Sequence, residues 1–224
     1  MGAMDKSDPN YKGYRGYNRF MLTIYDPWVL GFMSRAVWRV HTAPYIEQYR
    51  RELGRRHLDV GPGTGYFLEK AAPPQGTEIT LLDPNPNVLA RCSARLEAMH
   101  PTTIQASVME PLPIEGTFDS AALSFVIHCL RGPMENKGTA IRNIAAALEP
   151  DGVLFGGTVL GAEAHHTPQA RFFLKGANKM GDFDNLGDTA DGLRGILEES
   201  FDTVEVEVDG SAATFTARNP RRAA

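Results

Sequence analysis

The chain has 224 residues, 42% hydrophobic and 22% charged, a composition suited to one folded domain able to bury roughly 70% of its unfolded surface. Its formal net charge of −4 gives no bulk attraction to nucleic acid, and no apolar run reaches the about 18 residues of a membrane span. Cys92 and Cys129 stand far apart without metal-ligand spacing, so free thiols, no metal and, with no signal-peptide pattern, a cytoplasmic protein are expected; oligomeric state is left open.

Met1-Gly2-Ala3-Met4 reads as an expression remnant ahead of Met4. Residues 1–43 concentrate Tyr11, Tyr14, Tyr17, Phe20, Tyr25, Trp28, Phe32 and Trp38 and are expected to form a cap, with helices near 27–40 and 44–53, before a main domain over 44–224. A strand near 56–60 then breaks into Asp59-Val60-Gly61-Pro62-Gly63-Thr64-Gly65 ahead of a helix near 64–72. Gly61, Gly63 and Gly65 permit a turn at positive φ and let a ligand approach bare backbone. A dinucleotide site wants G-x-G-x-x-G, but Tyr66 stands at the third position and the glycine falls one residue earlier.

The second expected strand, 78–83, ends in Asp83, 22 positions after Gly61, the separation at which a strand-tip carboxylate accepts hydrogen bonds from ribose hydroxyls. Asp83 could also cap the next helix, near 86–99, but its spacing from the glycines favours ribose. Strands follow near 103–107, 118–125 and 152–159, with a helix near 134–148. Ser124 and Phe125 fall at a strand's C-terminal end, where open α/β sheets bind their ligands. A helix near 189–200 leads to strands near 203–208 and 212–218, separated by the hairpin signal Asp209-Gly210. The alternation predicts an α/β fold, a Rossmann-like, seven-stranded, mostly parallel sheet with a C-terminal antiparallel hairpin and helices on both faces. Residues 160–188 stand outside it as an inserted lid.

Five ordered segments carry a resemblance: Asp59 to Gly65, Glu78 to Asp83, Ile104 to Pro113, Phe118 to Leu130 and Leu148 to Phe155. Together they resemble the class I S-adenosylmethionine (SAM) methyltransferases of small-molecule type. The resemblance implies SAM as cofactor, with Gly61, Gly63 and Gly65 in its cradle and Pro84 against the adenine. It puts Ser107 where the family usually has Asp or Asn for the adenine amino group, leaving Val108 N–H to share that recognition. Tyr25, in a Tyr-Asp pair, would approach the methionine end of SAM, and Asp59 would take its amino group indirectly or brace the loop.

His128 is the candidate general base, because an imidazole pKa near 6.5 suits proton transfer; the alternative is a loop anchor. His165 and His166 are a second, weaker pair. Phe172 and Phe173, with Met180, would line a pocket for an apolar or aromatic small-molecule acceptor. Methyl transfer to such a metabolite is the expected function, with neither nucleic acid nor membrane as partner. The alternatives are a SAM-binding cyclase or lyase on the same fold, a scaffold role, or an NAD(P)-dependent oxidoreductase, which Tyr66 and the final hairpin disfavour.

Overall fold

The computed structural model describes residues 3–162 and 164–222, without the side chains of Arg19, Trp28, Val29, Leu30 and Phe32. Expectations placed on Trp28 and Phe32 as cap aromatics therefore lie outside the described side chains.

A seven-stranded sheet forms the centre, built from β1 (Arg56–Val60), β2 (Glu78–Leu82), β3 (Thr102–Ile104), β4 (Phe118–Ser124), β5 (Leu148–Val159), β6 (Phe201–Asp209) and β7 (Ala212–Pro220). Its order is β3-β2-β1-β4-β5-β7-β6. All pairings among β1 to β5 are parallel, and β7 runs antiparallel to both β5 and β6. The expected fold class is the observed one. Parallel central strands are covered on both faces, which is why β1 and β4 are buried along nearly their whole length, polar His57, Asp59 and Ser120 included.

One face packs α3 (Thr42–Glu52), α4 (Tyr66–Ala71) and α5 (Pro86–Arg95) on the sheet through Tyr49, Leu68, Leu89, Cys92 and Phe155. The opposite face packs α6 (Met134–Ala146) and, numbered ahead, α8 (Ala190–Glu198) through Ile141, Ile144, Leu193, Leu197 and Phe215. Burial of these side chains stabilises the layers by about 1.5–3 kcal/mol for each large aliphatic or aromatic group. Asn85 caps α5 by accepting from Asn87 N at 2.9 Å, with Pro86 at the first helical position. Thr189 caps α8 by accepting from Gly192 N at 2.9 Å.

Several boundaries move. The third strand stops at Ile104, so Ser107 and Val108 lie in the loop beyond it, and the fourth stops at Ser124 because Phe125 turns to φ +60°. The cap contains α1 (Tyr11–Tyr14) and α2 (Arg19–Tyr25), both unforeseen, and its long helix is a wide π-type helix over Asp26–Trp38. The insertion carries α7 (Pro168–Met180), capped by Thr167 and ended by Gly181 at φ +81°. Short or mostly exposed helices leave a weak periodic signal, and these were not separable from irregular chain. Cap and insertion meet where Thr167 Oγ1 donates to Val37 O at 3.1 Å and where the Trp38 and Phe183 rings lie 6.3 Å apart.

Candidate active site

The strand order reverses between β1 and β4, the switch point at which open α/β sheets hold ligands beyond their strand C-termini. A cleft opens there with about 1000 Å³ of empty space, mouth included. Gly61 and Gly63 border it at φ +65° and +57°. A Cβ on Gly61 would stand 2.4 Å from Val126 Cγ2, whereas one on Gly63 would meet no neighbour within 4 Å. Gly61 thus brings the loop down on the β4 end, and Gly63 keeps its backbone open to a ligand.

Gly65 corrects the expectation. It does not border the cleft: it precedes α4, and a Cβ there would lie 2.8 Å from Cys92 Sγ. Its role is close contact between α4 and α5, the helix-packing role of a third glycine, reached one position early.

Asp83, Pro84, Ser107 and Val108 form another wall, and Ser124 and Phe125 a third. Asp83 is 7% exposed and its Oδ1 accepts the Asn85 N–H at 2.7 Å, so it holds the turn and faces the cleft at once. Burial pushes its pKa up to about 7, against the Asn85 hydrogen bond, which favours the ionised form. Asp59 does not reach the cleft. It sits behind Tyr49, whose hydroxyl donates to Asp59 Oδ2 at 3.2 Å, and burial raises its pKa to about 8. Tyr49, on the helix expected near 44–53, borders the cleft in its place. Its pairing with Asp59 joins positions ten apart in two elements and left no local signal.

The cap completes the enclosure with Tyr14, Tyr17 and Tyr25. Three contacts bind it to the cradle. Asp26 accepts from Thr64 Oγ1 at 2.5 Å and from Arg95 Nη2 at 2.5 Å, while Arg95 Nη1 also donates to Thr64 Oγ1 at 3.0 Å. Buried Asn85 donates to Tyr14 O at 2.9 Å and Tyr17 O at 3.0 Å. Arg131 N donates to Asn10 Oδ1 at 2.8 Å. The Tyr25-Asp26 dipeptide therefore puts an aromatic in the cleft and a carboxylate on the glycine loop.

A second, mainly apolar cavity adjoins the first. Trp38, Val159 and Phe183 line it, and Gly13, Tyr17, Tyr25 and Phe125 border both cavities. The Tyr17 and Tyr25 rings are 5.7 Å apart. The neighbouring Tyr25 and burial hold the Tyr17 phenol well above its ordinary range, and burial pushes Tyr25 up to about 12. Phe125 holds a left-handed backbone that costs a non-glycine residue roughly 1–2 kcal/mol. Its N–H bond to Gly157 O at 2.7 Å and its ring packing on Tyr45 at 4.8 Å secure it.

Phe172 and Phe173 do border the second cavity, but at its rim, 76% and 42% exposed. His128 borders this cavity and not the cofactor-side cleft. Its Nδ1 accepts from Val159 N at 3.3 Å, and burial, then Lys137, pushes its pKa down to about 3. That geometry disfavours the expected general base, since the lone pair that would take a proton is already engaged. His166 lies 3.0 Å from Ser211 Oγ and, like His165, borders neither cavity. Among the described residues no three His, Cys, Asp or Glu side chains group so as to hold a metal, and no helix is long and apolar enough to cross a membrane.

Comparison with known proteins agrees with this geometry. Residues 58–154 match the methyltransferase domain family. The chain is 37% identical over 207 residues to demethylluteothin O-methyltransferase of Streptomyces thioluteus, covering 92% of this chain and 90% of that one. It is 33% identical over 221 residues to the physcion biosynthesis cluster O-methyltransferase of Aspergillus chevalieri, covering 97% and 100%. In fold it is similar to the N-methyltransferase NodS of Bradyrhizobium japonicum in complex with S-adenosyl-L-homocysteine (SAH), at TM-score 0.65 and 20% identity, over 94% of this chain and 100% of that one.

Proposed function

Because this chain belongs to the class I SAM-dependent methyltransferases, we propose that it methylates a small apolar or aromatic metabolite held in the second cavity. One observation carries the reading: a glycine-lined cleft bordered by the buried carboxylate of Asp83 meets an apolar chamber at Tyr17, Tyr25 and Phe125. The cofactor supplies a methyl group made electrophilic by its sulfonium, so the protein has to bind, align and exclude water.

The residues present fit SAM. Open space over Gly63 admits a ligand to the backbone, and Asp83 offers a carboxylate for two hydroxyls. Pro84, Ser107 and Val108 would flank the adenine, and Tyr25 and Tyr49 the amino acid end, with Asp59 behind Tyr49. The shared residues Tyr17, Tyr25 and Phe125 would bring the acceptor against the methyl group, and aromatic faces favour a nearby cation. Relatives named for natural-product O-methylation support a metabolite acceptor.

The test is turnover. Purified protein is incubated with SAM carrying an isotopically labelled methyl group and a panel of phenols, naphthols and aryl amines, and products are read by mass. A product gaining one labelled methyl, with one SAH formed for each, is expected. SAH formation with an acceptor that cyclises or fragments unmethylated would favour the lyase reading instead.

A further inference from the structure

His128 comes from the short turn Ile127–Cys129 after β4 and is only 4% exposed. Its Nδ1 accepts the Val159 N–H at 3.3 Å and lies 3.3 Å from Thr158 Oγ1. A backbone N–H can only donate, so Nδ1 presents its lone pair and the proton of the neutral ring resides on Nε2. Among the described residues no polar partner meets Nε2. The rings packed on the imidazole are Phe183, with centroids 4.3 Å apart, and Phe125, at 6.3 Å. A donor in the wall of a mainly apolar cavity, with no hydrogen-bond partner among the described residues, favours a ligand that brings an acceptor atom to it.

Resting on the methyltransferase reading, we infer that His128 donates a hydrogen bond from Nε2 to a carbonyl oxygen of an aromatic acceptor, and so selects and orients it. The remaining lining agrees with this choice. Trp38, Phe125 and Phe183 suit flat aromatic surface, and the two tyrosines at the junction, tilted at 48° to one another, add to it. Protonating His128 further would require a second proton on Nδ1 and the loss of the Val159 bond. Burial, and then the Lys137 charge, resist that step. The same atom therefore cannot collect the acceptor's proton, which leaves by way of solvent or of another group.

The experiment uses the SAH-saturated protein and two probes of one shape, 9-fluorenone and fluorene, which differ in a carbonyl. The ratio of their affinities is compared across wild type, His128→Leu and His128→Gln. Wild type is expected to favour the ketone, relative to His128→Leu, by about tenfold, the worth of satisfying one buried donor. His128→Gln, which keeps a donor without basicity, should retain part of the preference. A ratio unchanged in His128→Leu, or no binding of either probe to wild type, overturns the inference.

Nitrogen NMR of the imidazole is independent of any probe. It should show a protonated Nε2 and a bare Nδ1, with no titration between about pH 5.5 and 8.5; the opposite tautomer, or a titration in that range, also overturns it. Heat of SAH binding on the same samples separates the two levels. Absent SAH binding fails the methyltransferase reading itself, whereas normal SAH binding with an unchanged ratio fails only the role of His128.

Discussion

At Gly61 a missing carbon decides whether the loop can reach β4. A methyl there would stand 2.4 Å from Val126 Cγ2 on a backbone at φ +65°. Gly61→Ala should destabilise the fold by about 1–3 kcal/mol and weaken SAH binding, with Val126→Ala in the same chain restoring part of the loss in a denaturant titration. The paired carboxyls predict a pH dependence. Burial raises Asp83 to about 7 and Asp59 to about 8, so both are largely protonated in free protein at mildly acid pH. The ionised forms are those that accept from ribose hydroxyls and attract an ammonium. SAH affinity should therefore strengthen as pH rises from about 6 to 8.5, with proton release shown by calorimetry in buffers of different ionisation enthalpy. Stability of the ligand-free protein should run the other way. Carboxyls raised above their unfolded value of 3.8 favour folding fully below it, and that contribution is lost as pH rises through about 7 to 8.

Among the elements, the cap meets the glycine loop through a small polar cluster. Asp26 joins the start of its long helix to Thr64 and Arg95, with side chains 20% and 13% exposed for Asp26 and Arg95. Asp26→Ala should speed SAH dissociation several-fold in stopped flow while leaving the midpoint of global unfolding within about 1 kcal/mol of wild type. The opposite balance holds under the insertion. Lys137 on α6 is fully buried and donates at 2.6 Å to both Asp184 O and Asp188 Oδ2. Lys137→Met leaves Asp188 an unpaired buried carboxylate and should cost about 3–5 kcal/mol by chemical denaturation. The sheet and the hairpin were legible in sequence because apolar or alternating stretches mark most strands and the turn Asp209-Gly210 carries its own signal. Helix α7 was not, because only Ala170 and Leu174 of it are buried and a single i, i+4 pair, little more than one turn, declares no period. Asp83, Pro84, Ser107, Val108, Ser124 and Phe125 all proved to border the cleft because strand ends fix their positions. The surroundings of Asp59, Gly65 and His128 were not legible because Tyr49, Cys92 and Val159, against which they lie, come from other elements.

On the scale of the whole molecule, the sheet places the strand tips of β1, β2 and β4 around one cleft, and chain from both sides of the sheet region closes on it. The N-terminal cap supplies Tyr17 and Tyr25, and the insertion supplies Phe183 and the rim. The cavities proposed for cofactor and acceptor therefore share walls made from distant parts of the sequence. That division explains why the glycine loop declares the cofactor while the acceptor has no motif of its own: an apolar chamber needs only shape and a few polar points. The first of these cavities is the proposed cofactor site. Isothermal calorimetry of SAH with wild type and Asp83→Ala tests it directly. Micromolar binding to wild type, weakened at least about tenfold in Asp83→Ala by loss of a charged hydrogen-bond acceptor, is the predicted result. Equal affinity in the two proteins, or no heat with either, would contradict it.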